Sequence, residues 1–262
     1  GGSDMWFYVS VEELRRFDPV NKDWNTVVPS VKSESQGAEH PGFVHCPRSG
    51  SRGDCLVAYS GYSDIDSLYL SELNIFYMDS REWRTITYRE KEKGPEARAK
   101  CAMVHVPQRD VVIMYGGKRE ETELYDVWSL DMKELRWTLV TDVVTGDAPT
   151  SRLTSVQLSS TATIVVPSFD KQSNQVVLYM LNGETLHWTS YRTGLSMTPL
   201  YLSVHELPGD SCNRMVLFVR NSPEDNRFYV IGTPPNTPVM FHNLHRVVKQ
   251  KVMCDVVIDF CA

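Results

Sequence analysis

Residues 111–137 read VVIMYGGKREETELYDVWSLDMKELRW. An apolar run ends in Gly116 and Gly117, a charged stretch follows, and an aromatic-rich run then leads through a polar turn to Trp137. The same plan recurs along the chain. Trp24, Trp83, Trp137 and Trp188 stand 59, 54 and 51 residues apart, each after a strand-like run and a polar turn: LRRFDPVNKDW, LNIFYMDSREW, VWSLDMKELRW and VLYMLNGETLHW. Gly1-Gly2, Ser60-Gly61 and Gly116-Gly117 lie 20 to 23 residues ahead of the first three indoles, so register is kept inside the unit as well as between units. A period of about 50 residues, holding several short strands, predicts all-β sheets that bury their faces only against neighbouring copies.

The residue types have mechanical reasons. A glycine pair is expected to end the second strand of each unit, where the backbone needs positive φ or approaches the next unit closely. Phe17, Phe76 and Tyr125 in the third strand, together with the tryptophans, are expected to fill the space between units. Double glycine, a spaced Tyr or Phe and then Trp resembles the kelch repeat, and GPEAR at 94–98 and GDAPTSR at 146–152 resemble that family's lead-in between blades. The resemblance implies a kelch-type β-propeller of about five four-stranded blades, near residues 1–30, 31–90, 91–142, 143–194 and 195–240. A complete ring and a fragment of a larger ring both fit. Gly1-Gly2 is read as the end of a second strand, so the first blade would take its innermost strand from elsewhere. In the fourth blade Val166-Pro167-Ser168 replaces the glycine pair, and the fifth has neither glycine pair nor Trp.

Residues 241–262 break the pattern. Phe241, Leu244, Val247 and Val248 have helical spacing, which predicts a short helix, and CDVVIDFC then reads as a buried strand. Helix followed by Cys-Asp-Val-Val-Ile is similar to the opening of a BTB domain, an order found in kelch-then-BTB proteins of the leucine-zipper-like regulator family. The other reading makes residues 252–260 the closing strand of the first blade.

At 262 residues, with 42% hydrophobic and 23% charged residues, the chain has the composition of a globular protein. Its net charge is −6 and its cations are scattered, which argues against nucleic acid or an anionic membrane as partner and leaves proteins or peptides. The longest apolar runs are strand-length, short of the roughly 20 residues that cross a bilayer. Six cysteines without framework spacing, and no Asn-X-Ser/Thr acceptor, fit a reducing, intracellular (cytoplasmic) setting.

No catalytic constellation is present. Gly116-Gly117-Lys118 lacks the rest of a phosphate-binding loop, and there is neither a Gly-X-Ser-X-Gly elbow nor a His-Glu-X-X-His helix motif. His242, His245, Cys254 and Cys261 match no usual zinc spacing. The chain therefore reads as a non-enzyme without cofactor or metal. Binding is expected on the loops joining second to third strands: YSDIDS at 62–67, KREETE at 118–123, DKQSNQ at 170–175 and NSPEDN at 221–226. The partner-binding candidates on these loops are Asp64, Asp66, Lys118, Arg119 and Glu120. Arg98 and Arg152 join them, because in kelch substrate receptors that this pattern resembles, an arginine so placed points into the channel mouth and pairs with acidic peptide side chains. An inter-blade salt bridge is the alternative role for both. These expectations describe a protein-interaction module, as substrate receptor of a BTB and cullin ubiquitin-ligase adaptor if a BTB domain follows, or as a cytoskeletal or assembly scaffold; a propeller enzyme ranks below both.

Overall fold

The computed structural model describes residues 5–10, 13–18, 21–30, 38–39, 41–47, 53–88, 94–149, 156–158, 162–196, 201–206, 214–220, 226–232 and 242–243. The described strands form five sheets, and within each sheet successive strands are mostly antiparallel neighbours, as in propeller blades. The third sheet is the fullest copy: inner strand Ala102–Val106, second strand Val111–Arg119, third strand Thr122–Asp131 and outer strand Arg136–Leu139. In the second sheet the inner strand comes in two pieces, Ala38–Glu39 and Gly42–Cys46, followed by Cys55–Ser63, Leu68–Tyr77 and Glu82–Ile86. The first sheet has three strands, Met5–Ser10, Glu13–Asp18 and Asp23–Val27. Val156–Leu158, Thr163–Asp170, Gln175–Asn182 and His187–Arg192 make the fourth, with Thr145–Gly146 added in parallel along its outer strand. Tyr201–Glu206, Arg214–Arg220, Asn226–Gly232 and His242–Asn243 make the fifth. The chain divides into two compact units, one of Gly1–Gly146, Thr161–Ile164 and Leu181–Trp188, the other of Asp147–Ser160, Val165–Met180 and Thr189–Ala262.

Alternation along the strands explains why they read as unbroken apolar runs. In Cys55–Ser63 the side chains of Cys55, Val57 and Tyr59 join one core, with Cys101, Met103, Met114 and Trp137 of the third sheet. The intervening Leu56 and Ala58 join another, with Leu14 of the first sheet and with Phe76 and Trp83. Successive side chains leave a strand on opposite faces, so a strand covered on both sides must be apolar at every position. Inner strands approach closely as well: a Cβ on Gly42 would lie 2.3 Å from Cys101 Sγ. In the second unit Val165, Val176, Leu178, Val204, Leu217 and Val219 form the corresponding core.

The tryptophan turns are built alike. The residue two before each indole has positive φ: Lys22 at 54°, Arg81 at 57°, Leu135 at 53° and Leu186 at 53°. In two of these turns the last strand residue caps the bend, Asp131 accepting from the amides of Lys133 and Glu134 at 2.8 Å and Asn182 from those of Glu184 and Thr185 at 2.9 Å.

Four expectations change. The glycine pairs do not end the second strand; they form a β-bulge in mid-strand, between Tyr59 and Gly61 and between Tyr115 and Gly117, after which pairing resumes. In the first sheet the same irregularity falls between Tyr8 and Ser10, not at Gly1-Gly2, which lie outside the described residues. Strand Glu13–Asp18 has six residues where its counterparts Leu68–Tyr77 and Thr122–Asp131 have ten, which is why counting back a fixed distance from Trp24 overshoots. Tyr125 does not fill an inter-blade space: it is 40% exposed, and Leu130 is the residue opposite Trp137, as Phe76 is opposite Trp83 and Phe17 opposite Trp24. The expected C-terminal helix lies outside the described residues except for His242–Asn243, which pair as a strand with Tyr229 and Val230.

The space between sheets is filled by tyrosines that pattern reading passed over. Tyr59 packs edge-on against Trp137 at 5.0 Å and Tyr115 against Trp188 at 4.9 Å, each tyrosine standing just before its bulge. Trp137 is 4% exposed, whereas Trp24 is 46% exposed. Replacing Trp137 by Ala is therefore expected to cost about 3–5 kcal/mol, and replacing Trp24 by Ala about 1–2 kcal/mol. Urea unfolding of the two variants measures this difference, and equal losses would contradict the packing described.

Candidate functional site

The hairpin tips of the second and third sheets hold most of the sequence candidates. Because the second strands continue past their bulges, the connecting loops are shorter than expected. Lys118 and Arg119 are the last two residues of strand Val111–Arg119, and only residues 120–121 form its turn. In the second sheet the turn is residues 64–67. The Ser63 hydroxyl shapes it, accepting from the Asp66 amide at 3.3 Å and donating to the Asp66 carboxylate at 3.2 Å. Ser67 and Glu120 both take positive φ, 53° each, to close these turns.

Between the tips lies a cavity of about 370 Å³ lined by Tyr62, Ser67, Leu68, Tyr69, Arg119 and Glu120. Tyr62 and Tyr69 are cross-strand partners with ring centroids 5.1 Å apart. Lys118 Nζ lies 3.4 Å from Glu121, and Arg119 3.7 Å from Glu96. The structure thus brings Arg119 and Glu120 together with the tip that carries Asp64 and Asp66. Tyr62, Leu68 and Tyr69 were not singled out from sequence; the signal available was two tyrosines placed symmetrically about the acidic turn.

Arg98 has a different place from the one expected. It is fully buried, and its guanidinium meets Asp126 through two bonds, Nη1 to Oδ1 at 2.5 Å and Nη2 to Oδ2 at 2.9 Å. Nη1 also donates to the Gly116 carbonyl at 2.9 Å and Nε to that of Glu96 at 2.9 Å. Its backbone is held by the second sheet: the amide donates to the Ser60 hydroxyl at 2.8 Å and to the Leu70 carbonyl at 3.2 Å, and the carbonyl accepts from Gly61 at 2.8 Å. No face of the guanidinium is left for a partner's carboxylate, so Arg98 acts as a bolt beneath the face rather than as a contact on it. The salt bridge it forms is with Asp126, a residue of the same stretch 91–142, while its main chain is bonded to the second sheet. Arg152 lies outside the described residues.

The electrostatics follow from burial. Burial pushes the Asp126 carboxyl up, but hydrogen bonds from Arg98 and from the Trp128 indole at 2.6 Å outweigh it and hold the group below its ordinary value. Burial likewise opposes the Arg98 charge, and the bonds to Asp126 more than restore it. Gly117 makes room for this side chain: a Cβ there would lie 3.0 Å from Arg98 Cδ and 3.0 Å from the Ala99 carbonyl, at a φ of 121°.

Of the other two loops, Asp170 is held below its ordinary pKa by the Ser173 hydroxyl at 2.6 Å and the Gln172 amide at 2.9 Å, as in an ordinary capped turn. Residues 221–225 lie outside the described residues. Among the described residues no group of three or more His, Cys, Asp or Glu side chains is placed to hold a metal ion, and no helix is long and apolar enough to cross a membrane.

A family model described as the KLHDC2/KLHL20/DRC7 Kelch-repeats domain matches residues 49–218, which include both hairpins and Arg98. No curated protein matches the chain.

Removing one partner of a buried ion pair strands the other's charge. Arg98→Ala is accordingly expected to destabilise the fold by about 3–5 kcal/mol, and Arg98→Met with Asp126→Leu to recover much of that loss. The folded Asp126 carboxyl binds its proton more weakly than the ordinary value of 3.8, so acid favours the unfolded chain. Its stabilisation is complete above that value and is lost as the pH falls below it. Denaturation between neutral pH and about pH 3 should show this acid loss blunted in Asp126→Asn.

Proposed function

Since the chain belongs to the KLHDC2/KLHL20/DRC7 kelch-repeat domain family, we propose that it is a non-catalytic protein-interaction module whose capture surface is the face formed by the hairpin tips of the second and third sheets. The observation that carries this reading is the exposed apolar tip beside the cavity: Ile65 is 71% exposed and Leu68 58% exposed, on a hairpin whose second strand, Cys55–Ser63, is packed on both faces. Adjacent large aliphatic side chains held in water on a rigid support gain from being covered by a partner. Arg98 serves the face from below, joining the two hairpins so that their tips keep one spacing.

The finer form of the proposal is a substrate receptor for a cullin-type ubiquitin ligase, acting through a BTB domain. The similarity of residues 241–262 to a BTB opening supports it. The buried thiols of Cys46 and Cys55, opposite each other across two strands and not joined as a disulfide, support the intracellular, reducing setting that such a role needs.

Ile65→Asp with Leu68→Asp changes only exposed side chains and is expected to shift stability by no more than about 0.5 kcal/mol per site. Affinity capture with the wild-type chain and with this double variant, each at matched circular dichroism, should recover partners from the wild type that the variant loses. Retention of every partner by the variant would remove this face as the capture surface. A cullin among the partners of the full-length protein supports the adaptor form; cytoskeletal partners without a cullin favour a scaffold instead.

A further inference from the structure

Among the described residues, the face proposed above has a one-sided charge. The tips at 62–67 and 118–123, with the neighbouring Glu96, carry the carboxylates of Asp64, Asp66, Glu96, Glu120, Glu121 and Glu123 against two cations, Lys118 and Arg119. Both cations already have acidic neighbours, Lys118 at Glu121 and Arg119 at Glu96. Glu123 accepts the Tyr125 hydroxyl at 2.7 Å. Asp64, Asp66 and Glu120 have no cation against them among the described residues; Asp66 is met by the Ser63 hydroxyl alone. These three carboxylates sit on the turns that border the cavity, whose apolar lining comes from Tyr62, Leu68 and Tyr69, with Ile65 exposed on the same turn.

A recess lined on one side by Tyr62, Leu68 and Tyr69 and bordered by carboxylates selects a ligand of matching layout. We infer that the occupant is a segment of another protein carrying one aliphatic or aromatic side chain flanked closely by lysine or arginine. The apolar side chain enters against Leu68 and the Tyr62–Tyr69 pair, and the flanking cations meet Asp64, Asp66 and Glu120. The cavity suits this use, since about 370 Å³ is at the small end of ligand-holding recesses, roughly 300–1,000 Å³, and takes one or two side chains rather than a folded surface. A phosphate-bearing ligand would bring like charge to the same rim. Exposed charges of this kind act on approach and selectivity, and salt weakens them.

This inference rests on the reading of the hairpin tips as the capture surface, and the test separates the two. Three fluorescein-labelled peptides with a central Leu-Phe are titrated into the intact chain, flanked on both sides by Lys, by Gln or by Glu. Anisotropy is read at about 50 mM and about 300 mM NaCl, either side of physiological screening. The Lys-flanked peptide is expected to bind about tenfold more tightly than the Gln-flanked one and to lose most of that advantage at the higher salt. Asp64→Asn with Glu120→Gln should erase the preference for Lys, and Leu68→Ser should weaken all three peptides. Equal or tighter binding of the Glu-flanked peptide, with Leu68→Ser still weakening it, overturns the basic partner and leaves the capture surface standing. Binding of the Lys-flanked peptide that ignores both variants, or no saturation by about 1 mM, the weak end of specific recognition, overturns the inference; if Ile65→Asp with Leu68→Asp also retains every captured partner, the capture surface falls with it. Thermal midpoints of both variants confirm that the fold is intact, and Glu120→Lys, another exposed change, provides a second reading of the same sign.

Discussion

The buried Arg98 guanidinium is the constraint on which the first compact unit turns. A full positive charge with no exposed surface must be neutralised in place, and Asp126 does so through two parallel bonds while the carbonyls of Gly116 and Glu96 take further donors. The backbone of the same residue is tied to Ser60, Gly61 and Leu70 of the second sheet. One residue thus joins two sheets through main chain on one side and side chain on the other. The bulge at Gly116-Gly117 follows from this, because only a residue without Cβ at position 117 leaves room for Arg98 to pass.

Packing between the sheets supplies the rest of the stability. Each sheet is too thin to bury its own faces, so Cys55–Ser63 sends alternate side chains to the first and the third sheets and exposes almost nothing. Steeply inclined tyrosine–indole pairs close these layers, at Tyr59 with Trp137 and at Tyr115 with Trp188. The aromatic rings sit beside the bulges, which places the largest apolar groups near the point where Arg98 is held. Rigidity at this level is what lets two short turns, residues 64–67 and 120–121, serve as a fixed surface.

Two arginines that meet the lead-in at 94–98 sit in opposite settings. Arg119 is half exposed at the rim and lies 3.7 Å from Glu96. Arg98, two residues beyond Glu96, is committed to the interior. Salt and pH act differently on the two: screening reaches the rim, whereas the inner pair responds only when Asp126 is protonated.

What the residue order determined by itself was everything set by local chemistry. The four tryptophan turns, the apolar runs of the second strands and the polar tips between strands all follow from neighbours a few residues apart and were legible as turn composition or unbroken apolar sequence, whereas the glycine-bearing bulges were read as strand ends. Tertiary structure alone decided that Tyr8 marks the bulge of the first sheet and that Arg98 is an internal tie. The residue opposite each indole stands seven before it, at Phe17, Phe76 and Leu130, a spacing that was legible; the bulge of the first sheet lies across a hairpin whose length varies between blades, and Asp126 lies on a strand 28 residues from Arg98. A change of a few residues in hairpin length moves such partners while leaving every local pattern intact, so their identity waits on the packed sheets.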